Sequence, residues 1–455
     1  MWVNDVHSQQ NRTRVAEVVT PNTAEDVAAA VEKAAQDGRA VSICGGRHAM
    51  GAQPFGTDTL LIDVRGLDGV RRIDIEAGLV QADAGIQWPA LIAHLNHQAP
   101  AWAIAQKQTG ADQMTMAGAL SANIHGRGLA MTPFVGDIEA FTLVDAHGRV
   151  RTASRTQNPE LFALAVGGYG LFGVVTSVTL RLVPRRKITR VVELGWTDDL
   201  AERVETRIGD GFLYGDFQFA IDPASDDFLR RGVFSCYRPV ADDTALKEAH
   251  KELSGADWTR LLHLAHHDRS RAFAEYAAYY LSTNGQVYDS DTHQLSYYEG
   301  GYHEALDRAS GRRGTEMISE VYVPRPQLEP FLAEMRRAFR GNGAEIVYGT
   351  IRFVEKDDET FLPWACGRYA CLVVNLHVPH TEEGQQRSGE AFRALIDLAL
   401  AHRGRYYLTY HRHARRDQVL AAYPQMPAFL AAKRRYDPDE RFQSDWYRHY
   451  KRMLA

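Results

Sequence analysis

Gly45-Gly46-Arg47-His48-Ala49-Met50-Gly51 follows directly on a short apolar segment, residues 40–44. Small residues flank a histidine in a loop leaving a strand, so several backbone N–H groups can face an anion such as a diphosphate. Read alone, the pattern equally fits a structural turn with a satisfied histidine. Further along stands Gln108-Thr109-Gly110-Ala111-Asp112-Gln113-Met114-Thr115-Met116-Ala117-Gly118-Ala119-Leu120-Ser121-Ala122-Asn123-Ile124-His125-Gly126, a long run of small residues. Such a run lets a bulky planar ligand lie against backbone, or lets a helix pack tightly.

Outward from these two stretches, strands and helices alternate. Thr23-Ala24-Glu25-Asp26 is a capping-box start to a helix that Gly38 ends. Residues 60–64 and 79–84 read as strands and 88–96 as a helix. Ala146-His147-Gly148 joins two strands of a hairpin. Asn158-Pro159-Glu160 opens a helix with proline at its first position, and 174–183 alternates as a strand. Gly168-Tyr169-Gly170-Leu171-Phe172-Gly173 spells GxGxxG, with Glu193 beyond it. A dinucleotide site needs a strand before those glycines and a helix after them. Here the order is inverted, which predicts only a tight helix-to-strand turn. No P-loop is present.

Taken in order, the 45–51 loop, the 108–126 run and Val174-Val175-Thr176 resemble the FAD-linked oxidases of the vanillyl-alcohol oxidase type (PCMH-type FAD-binding), with alditol oxidase, gulonolactone oxidase and decaprenylphosphoryl-ribose oxidase among them. The resemblance implies an α+β fold: an FAD-binding domain of two α+β subdomains (1–187), an α+β substrate or cap domain with a mixed or antiparallel sheet (188–412), and a C-terminal return (413–455). It implies FAD as cofactor, bound covalently through His48. Gly45, Gly46, Arg47, His48, Ala49, Met50, Gly51, Gln53, Gly110, Thr115, Ala117, Gly118, Ala122, Ile124, His125, Val174, Val175 and Tyr407 are the cofactor-contacting positions it implies. The second flavin-linked cysteine of bicovalent relatives has no counterpart in 109–126, and Cys44 reads as a core thiol.

The tail resembles the end of decaprenylphosphoryl-ribose oxidase through Tyr406-Tyr407-Leu408-Thr409-Tyr410-His411, Tyr423-Pro424 and Arg435-Tyr436-Asp437-Pro438. Tyr410 stands where that relative has a lysine, a departure that leaves the base open. A phenol could accept a proton if a cation lowered its pKa. Residues 406–410 are expected as a last strand. In the middle region, Ile318-Ser319-Glu320-Val321-Tyr322 is similar to the alditol oxidase strand that offers a glutamate to substrate, and alternation puts Glu320 and Tyr322 on one face. Tyr410, Glu320, Arg352 and His411 are therefore the expected catalytic set, and Tyr322 and His377 the expected substrate contacts. The aromatics Tyr276, Tyr279, Tyr280, Tyr297 and Tyr298 suit a glycosidic or aromatic substrate.

No metal set is expected. His263 and His267 share a helix face, but HExxH is absent, and His303-Glu304 and His411-Arg412-His413 lack further ligands. The chain has 455 residues, with 52 Lys+Arg against 57 Asp+Glu, a net charge of −5. That balance argues against broad nucleic-acid or polybasic membrane binding. Hydrophobic residues are 45% and charged residues 24%, an ordinary globular composition. Four cysteines without CxxC make no disulfide scaffold. With no apolar leader and no membrane span, a cytoplasmic protein is expected. The expected reaction is oxidation of an alcohol carbon of a polyol or sugar-like molecule to a carbonyl, with O2 or another electron acceptor. The alternative is a flavin-dependent C=C reductase of the sterol-reductase type. Oligomeric state is not legible.

Overall fold

The computed structural model describes residues 1–246, 250–296, 302–341 and 343–455. The fold is α+β. Thr23 caps the helix Ala24–Gln36 through a capping box with Asp26, and Val27, Ala30, Val31 and Ala34 bury its apolar stripe. This helix links the parallel strands Glu17–Val19 and Val41–Cys44, both paired to Leu60–Asp63. A second sheet runs in the order Val150–Ser154, Ile138–Val144, Val174–Pro184, Leu79–Asp83, Val70–Asp74, with Trp102–Ile104 also on Val174–Pro184. The GxGxxG glycines join the helix Pro159–Ala165 to that strand, the inverted order that excludes a dinucleotide turn. Gly170 at φ +73° and Gly173 at φ +149° take conformations that other residues avoid.

At Lys187 the chain enters a different sheet. Eight antiparallel strands follow in the order Val287–Asp289, Lys187–Trp196, Arg231–Pro239, Tyr214–Phe219, Ile346–Val354, Tyr369–Pro379, Gly314–Pro324, Arg405–Tyr406. The helices Leu328–Gly341 and Glu382–Ala401 pack on the Gly314–Pro324 side, and Gly255–His267 and Arg269–Ser282 pack on strands toward the other edge. The expected strand 406–410 is a correction. Only Arg405–Tyr406 joins the sheet, because the next backbone groups are claimed elsewhere: Thr409 O accepts from Met50 N at 3.1 Å, and Leu408 O from Gln53 Nε2 at 2.6 Å.

Beyond residue 412 the helices Arg416–Ala422, Met426–Tyr436 and Asp445–Leu454 carry the chain back. Val41 N donates to Arg441 O at 2.6 Å and Gln443 N to Val41 O at 2.9 Å. Asp437 shapes this return by accepting from Arg441 N and Phe442 N, each at 2.8 Å, beside buried Lys433. Among the described residues no helix is long and apolar enough to cross a membrane. All four cysteines are free, and burial pushes the Cys44 thiol up to about 12.

Candidate active site

The strand Val41–Cys44 delivers residues 45–51 directly against residues 113–115. A Cβ on Gly45 would lie 2.1 Å from Thr115 Oγ1, and one on Gly46 would lie 2.2 Å from the Gln113 carbonyl oxygen. Two small-residue segments far apart in the chain thus meet backbone to backbone, which only glycine allows. Arg47, at φ +59°, reaches back to Asp63 at 3.1 Å and anchors the loop. His48 Nδ1 meets His7 Nε2 at 2.8 Å. Its Nε2, near the Gln113 carbonyl, makes no well-formed hydrogen bond. Burial, reinforced by His7, lowers the His48 pKa to about 3, so its imidazole is neutral at physiological pH. Ala49 is half-buried. Asn11 Nδ2 holds the Met50 carbonyl at 2.6 Å, and Gly51 N donates to Gln53 Oε1 at 2.9 Å.

In the second segment, Gly110 sits at φ +78° on the cavity wall. Thr115 caps the helix Met116–Ala122 by accepting from Gly118 N at 3.2 Å. Ala117 N donates to Ala84 O at 2.8 Å, and Ala122 O accepts from Tyr407 Oη at 2.7 Å. Ile124 lines the cavity. Behind this helix, Val174 and Val175 pair with Val144 and Leu143 inside the sheet.

These segments form one wall of a cavity of about 770 Å³. The eight-stranded sheet supplies the facing wall through Arg190, Asp216, Gln218, Ile318, Tyr348, Arg352, Val373 and Asn375, while Tyr276, Tyr279 and Tyr280 close a third side. Tyr297 and Tyr298 lie outside the described residues. Tyr407 and Tyr410 line the cavity from the C-terminal side, and Gln108 Nε2 lies 3.5 Å from Tyr410 Oη.

Strand register explains which of the expected residues meet. Gly314–Pro324 pairs with Tyr369–Pro379 so that Glu316, Ile318, Glu320 and Tyr322 stand opposite His377, Asn375, Val373 and Cys371. Alternation places all eight on one face, but the face is longer than the cavity. Ile318, Asn375 and Val373 line it. Glu320 is buried beside Tyr410, a lining residue, with one oxygen hydrogen-bonded to His125 Nε2 and the other without a well-formed hydrogen bond. His125 is held in turn by the Gly126 carbonyl at 3.1 Å from Nδ1. Tyr322 lies past the cavity, stacked on Trp364 at 4.5 Å and fully buried. His377 lies past the other end, near Glu316. Neither is among the cavity-lining residues, a correction to the expected substrate contacts.

His411 also departs from expectation. Its ring stacks on Phe392 at 4.4 Å and meets Ser319 Oγ at 3.1 Å, on the strand face opposite cavity-lining Ile318. Tyr410 stays at the cavity, but the electrostatics differ from the sequence expectation. Burial and then the Glu320 carboxylate push its phenol well above the usual range, outweighing Arg352. Tyr410 is therefore a hydrogen-bond donor, and Glu320 is the acceptor beside it.

Residues 15–154 match the family model of an FAD binding domain, and residues 309–450 match that of D-arabinono-1,4-lactone oxidase. The chain belongs to the FAD-linked oxidase family. Among relatives of this family, L-gulono-1,4-lactone dehydrogenase of Mycobacterium tuberculosis H37Rv is 25% identical over 435 residues, 95% of each chain. L-gulonolactone oxidase of Bos taurus is 29% identical over 166 residues, 36% of this chain and 37% of that one. Decaprenylphosphoryl-beta-D-ribose oxidase of Mycolicibacterium smegmatis is 29% identical over 194 residues, 42% of this chain and 41% of that one. The protein is an FAD-dependent oxidoreductase.

The residues present fit FAD. Gly45 and Gly46 form a cradle that any Cβ would fill, and His48 Nε2 is buried without a well-formed bond. Several residues at this FAD-linked oxidase site were not anticipated: His7, Gln108, Arg127, Arg190, Asp216 and Gln218. Arg190 is spread over Tyr237, Tyr280 and Tyr288 at 5.0–5.3 Å. Buried Lys107 pairs with Asp112 at 2.5 Å and fixes the 107–112 segment. Gln108, which opens the 108–126 run, and Arg127, which follows it, carried a local signal; the others are single residues on unremarkable strands and loops.

Proposed function

We propose that this enzyme oxidises a hydroxyl-bearing carbon of a polyhydroxylated small molecule, a sugar lactone or polyol, to a carbonyl. One observation carries this reading. Gln108 Oε1, Arg127 Nε, Asp216 Oδ1, Gln218 Oε1, Arg352 Nε and Nη1, and Asn375 Oδ1 are buried without protein partners, on residues that line one cavity. Buried polar atoms are normally satisfied. A set of both donors and acceptors around one cavity matches a ligand with several hydroxyls. Relatives named for gulonolactone support the same class.

FAD, held against residues 45–51 and 113–118, would supply the hydride acceptor and the route for electrons to O2 or another acceptor. The chain's own residues do the rest. Tyr410 Oη and Gln108 Nε2 orient the reacting hydroxyl. Its proton moves to the Glu320 oxygen that His125 does not hold. Arg352 offsets the negative charge that gathers as the proton leaves. Residues 1–187 act as the FAD-binding domain and 188–412 as the substrate domain, with 413–455 returning to the first. The test is an anaerobic screen of L-gulono-1,4-lactone, D-arabinono-1,4-lactone and xylitol. Bleaching of the flavin by at least one is the expected result. Bleaching by NADPH, with none by sugars, would favour the reductase reading instead.

His48 is the position from which a covalent bond to FAD would form. Acid precipitation of the yellow protein is expected to leave its colour in the pellet, and His48→Ala to release it to the supernatant. Wild-type colour in the supernatant would remove the covalent assignment.

A further inference from the structure

Beyond the cavity, the shared face of the two paired strands continues to Glu316 and His377, which stand directly opposite each other in the register. Two helices bring further histidines to this pair: His266 from Gly255–His267 and His303 from Tyr302–Ser310. His266 Nε2 and His377 Nδ1 each lie 3.4 Å from the same oxygen, Glu316 Oε1. The three ligand atoms lie within 4.8 Å of one another. His303 Nε2 meets the second oxygen, Oε2, at 2.5 Å. The side chains of His266 and Glu316 are 8% and 10% exposed, those of His303 and His377 17% and 19%.

We propose that His266, His377 and Glu316 bind a divalent transition-metal ion, zinc by donor type, with His303 holding the carboxylate from outside. The separations carry this reading. At 3.4 Å the two nitrogen-oxygen contacts are long for hydrogen bonds, whose usual range is about 2.7–3.2 Å. Zinc bonds of about 2.0–2.2 Å set tetrahedral edges of about 3.3–3.6 Å between ligand atoms. His266 Nε2 makes no well-formed hydrogen bond although buried. Two imidazoles and one carboxylate are a common zinc donor set, and a carboxylate whose second oxygen is fixed by another histidine is the usual supporting arrangement. Gly314 leaves the space: a Cβ there would lie 2.4 Å from the His377 ring. The partial exposure of His377 and His303 gives an ion a way in. Such an ion would tie the helix that carries Trp258, a cavity-lining residue, to the sheet edge. His263 and His267, whose spacing suggested a pair, are not the partners; His266 between them is.

The FAD-loaded protein, treated with a chelator and dialysed, is titrated with ZnCl2 by calorimetry, with metal content measured afterwards. One equivalent per chain is expected, and a rise in thermal midpoint with zinc. His266→Gln and His377→Gln should each abolish the stoichiometric binding, while His303→Gln should weaken it about 10–100-fold. FAD absorbance checks that each variant is folded. His266→Gln, on a helix rather than in the sheet, carries the test should a sheet variant fail to fold. No stoichiometric zinc, or binding unchanged in folded His266→Gln, overturns the proposal and leaves a proton-bridged histidine-carboxylate cluster.

Discussion

Glu320→Gln keeps its FAD and slows anaerobic flavin reduction by substrate about 10²–10⁴-fold, the usual contribution of a positioned general base. The amide keeps the carboxylate's size but cannot take a proton. Glu320 is placed for the task by its neighbours: one oxygen is bound to His125, the other makes no well-formed hydrogen bond, and Tyr410 beside it lines the cavity. Tyr410→Phe removes a donor and leaves the base, so its loss is the smaller one. Stopped-flow reduction kinetics with FAD content measured in parallel decide the matter. Reduction by Glu320→Gln at the wild-type rate, or a Tyr410→Phe defect larger than that of Glu320→Gln, would move the base elsewhere.

The second large effect is on cofactor retention. Gly46→Ala is expected to yield folded protein with most of its FAD lost. The new Cβ would sit 2.2 Å from a backbone carbonyl oxygen, that of Gln113. A backbone atom in a packed loop cannot move aside as a flexible side chain can, so the two segments must separate. Overpacking of this kind costs about 1–3 kcal/mol, and here the strain falls on the surfaces that face the cofactor. Gly209→Ala is the control, because nothing lies within 4 Å of its Cβ and the backbone is ordinary there. The ratio of flavin to protein absorbance reads both. Full FAD content in Gly46→Ala would show that the cradle tolerates a wider spacing than the structure gives it.

The FAD-binding half was the more legible part. Its elements are short and strongly punctuated: a capping box at Thr23, a proline-led helix at Pro159, a hairpin around Gly148, and two glycine-rich segments whose side chains are too small to do anything but admit close contact. In the second half the strand carrying residues 318–322 was legible, as was the alternation that puts Glu320 and Tyr322 on one face, whereas Lys187–Trp196, Tyr214–Phe219 and Arg231–Pro239 were not read. How far along that face the cavity runs was not. Tyr322, Glu320, Ile318 and Glu316 share one pattern, yet one is core, one meets His125 and Tyr410, one lines the cavity and one belongs to a histidine cluster.

Period and punctuation are properties of neighbouring residues, and so local sequence carried the α+β fold and the FAD assignment. Position along a strand face is set by what packs across it. His125 and Trp364 cover Tyr322, and Phe392 takes His411. Likewise His7 reaches His48 across 41 positions, and His266 reaches Glu316 from another element. The protonation of Tyr410 was decided in the same way: a lowered phenol required a dominant cation, but burial and the Glu320 charge outweigh Arg352. Contacts between distant segments, and the desolvation they impose, exist only once the chain has closed on itself.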